Sequence, residues 1–213
     1  MHNPDENKGL VCKNVFAQYG KLVVCRDISL VVAPGELLGV VGPNGAGKTS
    51  LVGAINGTVS SRGSIMLGDC DLGGKPGHQR QRHGLATVPD DRGLFPPLTV
   101  AENIRLGAQY VAKAERADAI EEAVERFPFL KKRMSTNAGS LSGGEQQMLA
   151  VAKNLAGKPK ALLLDEPSQG LAPIIIDELV KVFSELRNSG LPIMLVEQNH
   201  GLVERVATRI AVV

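Results

Sequence analysis

Gly42-Pro43-Asn44-Gly45-Ala46-Gly47-Lys48-Thr49-Ser50 is the stretch on which the fold turns. Its spacing is Gly, four residues, then Gly-Lys-Ser/Thr, the pattern of a phosphate-binding loop. Glycine there permits positive φ and lets the backbone come close to a ligand. Successive N–H groups can then line an anion-binding hollow. A following helix adds its unsatisfied N-terminal donors and the positive end of its dipole. In this pattern Lys48 reaches the β- and γ-phosphates, and the Thr49 hydroxyl binds Mg²⁺. The plainer alternative is a Gly-rich turn between strand and helix. The flanks favour the loop, because Leu37–Val41 reads as a buried strand feeding it and Thr49–Ile55 as a helix leaving it.

Bulk properties narrow the function classes. The 213 residues suffice for one large domain, and 43% hydrophobic content can build a core. A net charge of +2 gives no general basic character for nucleic acid. Aromatics are 3% with no Trp, so platforms for stacking single strands are scarce. Cys12, Cys25 and Cys70 are scattered without a C-x-x-C pair and read as reduced thiols of a cytosolic protein. Met1–Lys8 is polar, unlike a signal peptide. No apolar run approaches the ~18 residues that span a bilayer, so a membrane connection would go through a partner.

Along the chain, Leu10–Val15 and Ile28–Val32 read as short strands joined by a loop holding Tyr19 and Gly20. Asn56-Gly57 ends the helix after the phosphate loop. Ser64–Leu67 is a brief strand, His78–His83 a short helix and Leu85–Val88 a strand. The character then changes. Thr99-Val100-Ala101-Glu102 is a capping box, and Ala112–Arg126 is a helix former that stops before Pro128. Residues 94–152 read as a mostly helical insertion within a single 1–213 domain. Ala161–Leu164 is an apolar strand and Pro173–Asn188 an amphipathic helix. Leu191–Val196, Gly201–Ala207 and Arg209–Val213 follow as strand, helix and strand. Strands alternating with helices imply an α/β fold with a parallel sheet covered on both faces.

A second anchor is Leu141-Ser142-Gly143-Gly144-Glu145, a capping box of Ser142 with Glu145 heading a helix over Gln146–Leu155. Glycine is poor in a first turn unless something must approach the backbone closely. With this stretch on the page, the sequence resembles the ATP-binding cassette (ABC) ATPases along nearly its whole length. Gly42–Ser50 is similar to their Walker A loop, and Leu141–Glu145 to their signature motif. Ala161-Leu162-Leu163-Leu164-Asp165-Glu166 is similar to Walker B with its catalytic glutamate, and Ser168–Ala172 to the D-loop. The resemblance implies a P-loop NTPase (RecA-like) parallel core with N-terminal antiparallel strands, and an ATP- and Mg²⁺-dependent ATPase. Gly42, Asn44, Gly45, Gly47, Lys48, Thr49 and Ser50 would bind nucleotide. Thr49 and Asp165 would hold Mg²⁺, and Glu166 would orient or deprotonate the attacking water. Tyr19 stands where the family stacks an aromatic on adenine; ordinary packing is the alternative. The resemblance further implies a head-to-tail dimer in which Ser142, Gly143 and Gly144 of one subunit close on the γ-phosphate held by the other.

Two departures from the common pattern point to a subgroup. Asp90, in Val88-Pro89-Asp90-Asp91-Arg92, replaces the usual Gln of the loop that senses Mg²⁺, and the resemblance makes it a third candidate ligand of the ion. Gln198, in Val196-Glu197-Gln198-Asn199-His200, replaces the usual switch His, and His200 does not inherit that role. Both stretches are similar to those of branched-chain amino-acid importer ATPases. That likeness implies transmembrane permease partners, a periplasmic binding protein acting indirectly, no nucleic acid, and a place on the cytoplasmic face of the inner membrane. A soluble ABC protein and a poorly hydrolysing, nucleotide-dependent interaction subunit are the alternatives.

Overall fold

Leu37–Val41 (β3) is buried at every residue and lies inside a five-stranded, wholly parallel sheet. The computed structural model describes residues 9–198 and 200–213. The sheet order is β6-β7-β8-β3-β9, with β6 Leu85–Val88, β7 Ala161–Asp165, β8 Ile193–Glu197 and β9 Arg209–Val212. One strand, β8, therefore separates the strand that feeds the phosphate loop from the strand that ends in Asp165. All five run the same way, so their carboxyl ends form one edge. In open α/β sheets ligands bind outside that edge.

Alternate residues of β7 face opposite sides, as a pleated strand requires. Leu162 and Leu164 join the cluster built on Ile104, Leu149, Phe183 and Val203. Ala161 and Leu163 join the other cluster, with Leu51 and Ile55 of the helix α1, Lys48–Asn56. That second side is closed by an antiparallel sheet, β2-β1-β4-β5. Its strands are β1 Leu10–Tyr19, β2 Leu22–Val32, β4 Ser60–Leu67 and β5 Cys70–Asp71. Strands β1, β2 and β4 are longer than the apolar pattern suggested. β1 continues past Val15 through register irregularities, and Tyr19 pairs with Leu22 across a two-residue turn. Tyr19 is thus the last residue of a strand rather than part of a loop.

Gly77–Arg82 (α2) precedes β6. Between β6 and β7 the described residues form helices and turns, apart from one isolated bridge between Thr99 and Asn137. The helices are α3 Val100–Gly107, α4 Arg116–Glu125, α5 Pro128–Lys131 and α6 Gly143–Leu155. Both predicted capping boxes form, Thr99 with Glu102 and Ser142 with Glu145. Pro128 does not merely end a helix; it occupies the first turn of α5. Pro173–Asn188 (α7) and His200–Val206 (α8) complete the first side.

The far end of α1 rests on a buried cation. Arg80 of α2 is 3% exposed. Its guanidinium donates to the carbonyls of Ala54 (2.7 Å), Ile55 (2.8 Å) and Lys75 (2.7 Å). A positive charge at a helix C-terminus satisfies orphan carbonyls and complements the dipole. Replacing Arg80 by Met keeps the stem but strands three carbonyls, at a cost of about 2–3 kcal/mol. We expect a thermal midpoint lower by about 4–12 °C for a domain of this size. A midpoint within 1–2 °C of the parent, on the same scale, would contradict the assignment.

Candidate functional site

The phosphate loop leaves β3 and enters α1 through Gly47, which has φ 95° and serves as N-cap without a side-chain hydrogen bond. A side chain at Gly47 would be strained there, and its Cβ would lie 2.8 Å from the Cys25 Sγ. The Cys25 thiol donates to the Gly47 carbonyl at 3.2 Å, and burial pushes its pKa up so that it stays a donor. Unlike α3 and α6, α1 keeps its first-turn N–H groups free of a side-chain cap. Such a terminus suits an anion.

Lys48 is 4% exposed. Its ammonium donates to the carbonyls of Gly42 (2.9 Å) and Pro43 (3.1 Å) and stands 3.4 Å from the Glu166 carboxylate. Glu166 has φ 46°, a left-handed conformation uncommon outside glycine. Its N–H donates to the Val196 carbonyl at 2.8 Å, which fixes the turn after β7. Strain of this kind concentrates at functional sites. Asp165 is 2% exposed and accepts from the Thr49 hydroxyl at 3.4 Å. Two strand spacings separate β3 from β7, and these side chains cross the gap above β8.

Asp165 is pushed up from 3.8 to about 6. Burial is the main cause, the Thr49 hydrogen bond opposes it, and the Asp90 and Glu166 carboxylates add to it. A buried carboxylate beside a hydroxyl fits a hard cation with oxygen ligands. The described residues bring no three His, Cys, Asp or Glu groups together as a metal cluster. Mg²⁺ would therefore draw most of its ligands from phosphate and water.

A cleft of about 410 Å³ joins these parts, lined by Val24, Asn44, Gly45, Gly47, Lys48, Thr49, Ser50, Asp90, Glu166 and Gln169. Tyr19 stands at its border, with its hydroxyl 3.5 Å from the Ser50 Oγ and its side chain 52% exposed. Gln198 lies next door, with Glu197, Ser168 and Gln169, in a second hollow that shares Glu166. Ser142, Gly143 and Gly144 line neither. Gly144 also has a local reason for lacking a side chain, since its Cβ would meet the Ile175 Cγ1 at 2.8 Å.

Sequence reasoning missed Glu197 as a structural anchor. It is 2% exposed and accepts from the Ser168 N–H at 2.9 Å, holding the start of the stretch that carries Gln169. A charged residue closing an apolar run was the available signal. Val24 and Cys25 had no signal, because only the fold brings β2 under the loop.

A family model described as ABC transporter matches residues 25–169. The chain is 41% identical to the high-affinity branched-chain amino acid transport ATP-binding protein BraG of Pseudomonas aeruginosa, over 92% of this chain and 84% of that one. It is 36% identical to the lipopolysaccharide export system ATP-binding protein LptB of Escherichia coli K12, over 89% and 80%. Among solved structures, an ATP-binding subunit of an ABC transporter superposes with a TM-score of 0.83 at 27% identity, covering 96% of this chain and 85% of that one.

The raised Asp165 has a consequence for stability. Its neutral form favours the folded chain below pH 3.8, and that contribution is lost as pH rises through about 6. Asp165→Asn should therefore raise the midpoint of the nucleotide-free chain at pH 8, by up to about 3 kcal/mol in stability. The gain should vanish below pH 4 on the same linkage. A pH-independent difference, measured by thermal melts across this range, would contradict it.

Proposed function

We propose a specific role for this chain, which belongs to the ABC transporter family: it hydrolyses ATP in a site completed by a second copy and thereby drives an amino-acid importer. The observation that carries the reading is the grouping of Lys48, Thr49 and Glu166 in one cleft, with Lys48 3.4 Å from Glu166 and the buried Asp165 accepting from Thr49. The signature donors of the same chain lie outside that cleft.

In this reading the loop N–H groups from Asn44 to Ser50 and the Lys48 ammonium hold the phosphates. Thr49 and Asp165 hold Mg²⁺, with Asp90 facing the same space. The ion supplies charge neutralisation on the phosphate oxygens. Phosphate draws Lys48 away from Glu166, whose carboxylate then orients a water and accepts its proton. Gln198 donates a hydrogen bond toward the γ-phosphate without adding charge. Tyr19 offers its exposed face to the base. Ser142, Gly143 and Gly144 of a second copy close over the γ-phosphate. The capping box uses the Glu145 N–H and leaves the N–H groups of Gly143 and Gly144 for that purpose.

No helix among the described residues is long and apolar enough to cross a membrane. In this reading the chain joins the cytoplasmic face of the inner membrane through permease subunits. Residues 94–152 form a helical unit that, with the Asp90 loop, meets them. A periplasmic binding protein delivers the solute. The relationship to BraG favours branched-chain or other hydrophobic amino acids.

Phosphate release tests the chemistry. Glu166→Gln should lower Mg-dependent turnover by about 100-fold or more, with or without a permease. Turnover that ignores this substitution would overturn the reading. Co-purification decides the transport class: a branched-chain amino-acid permease supports the importer, and a lipopolysaccharide-export permease in its place overturns it.

A further inference from the structure

Arg92 lies between the two halves of the proposed machinery. It sits two residues after Asp90, which lines the phosphate cleft. Its backbone is left-handed at φ 68°, unusual for a non-glycine residue. The turn is pinned by the Arg92 N–H donating to the Pro89 carbonyl at 2.9 Å and the Gly93 N–H donating to the Asp91 Oδ1 at 2.9 Å. The Lys153 ammonium donates to the Gly93 carbonyl and stands over the Phe95 ring. Asn103 both donates to and accepts from the Phe95 backbone. Five residues of loop are thereby held against α3 and α6.

This framework aims one side chain. The Arg92 Nη1 donates to the Gln146 Oε1 at 2.8 Å, and Gln146 itself is fixed by donating to the Ala138 carbonyl at 3.1 Å. The Arg92 Nη2 lies 3.3 Å from where a Cβ of Gly143 would be. A guanidinium is therefore parked at the first turn of α6, beside the signature glycine. Glu145, the acidic group of that turn, directs its carboxylate back to the Ser142 N–H at 2.8 Å. Arg133 stands 3.9 Å from it on the other side.

We propose that Arg92 is a phosphate-facing cation acting in trans: when a second copy presents its nucleotide to Ser142–Gly144, the Arg92 guanidinium approaches the same γ-phosphate. The inference rests on the composite-site reading above. It answers a deficit within that reading, because Gln198 brings no positive charge to the γ-phosphate. An Arg fork matches a phosphate bidentately and carries its charge at every physiological pH. The left-handed backbone at Arg92 and the Gln146 anchor hold the fork in place before the phosphate arrives, which reduces the ordering cost on closure.

The test uses Glu166→Gln as the parent, with MgATP as the probe. Two quantities are read: nucleotide affinity at protein concentrations where the chain is monomeric, and ATP-driven dimerisation by sedimentation at several salt concentrations. Arg92→Gln should leave monomer affinity within about twofold and weaken dimerisation by about 10- to 100-fold, the worth of a charge-assisted hydrogen bond. It should also flatten the dependence of dimerisation on salt, a readout that mere misplacement of α6 would not move. Arg92→Lys should recover much of both effects. Unchanged dimerisation, an unchanged salt slope, or an equal loss of monomer affinity would each overturn the inference. Failure of the Glu166→Gln parent to dimerise with ATP would instead sink the composite-site reading beneath it.

Discussion

Four charged side chains, Lys48, Asp165, Glu166 and Glu197, are gathered at the carboxyl edge of a sheet whose three central strands are otherwise apolar. Charges this poorly hydrated are tolerable only when paired and hydrogen-bonded. Lys48 is held by two carbonyls and Glu166, Asp165 by Thr49, and Glu197 by the Ser168 N–H. The sheet order makes this possible, since β8 carries Glu197 between the strand of the phosphate loop and the strand of Asp165. The pairings are close but not saturated, as the elevated pKa of Asp165 attests. A carboxylate left under-compensated in this way favours an added cation over the bare chain.

The same edge explains why, in the proposed reading, one chain holds only half of a catalytic centre. The cleft contains groups for the triphosphate, the cation and the water, but Ser142–Gly144 open elsewhere. Their helix, α6, is fixed by packing in the core cluster shared with β7 and α7. Beyond the Ser142–Glu145 capping box and the Arg133–Glu145 pair, its first turn meets Ile175, which presses close at Gly144, and Arg92, which rests beside Gly143. In the proposed reading a second copy turned head to tail brings that first turn to the phosphate. Binding free energy for nucleotide then becomes association free energy, and hydrolysis releases it.

Much of this was legible in the chain because the constraints are local. Gly47 must adopt φ 95°, and Ser142 and Thr99 must cap helices with a Glu three residues on, so motif and geometry coincide. Helix α7 follows from its spacing of apolar residues and the proline at its start. The long β1–β2 hairpin was under-read because its strands run on through polar, irregular positions such as Lys13 and Asn14. Glu197, Arg80 and Arg92 were silent as structural or functional groups for a different reason. Each has a partner 26 or more residues away (Arg80 with Ala54, Glu197 with Ser168, Arg92 with Gln146). No local pattern encodes such a partner.

The central claim is that the catalytic site is completed between copies. It is tested most directly by specific ATPase activity per subunit as a function of protein concentration, at saturating MgATP. A composite site predicts activity that is negligible in dilute solution, rises with concentration and levels off where the dimer is populated. Activity per subunit that stays constant from the most dilute to the most concentrated sample would mean that one chain holds the whole site, and would contradict the account.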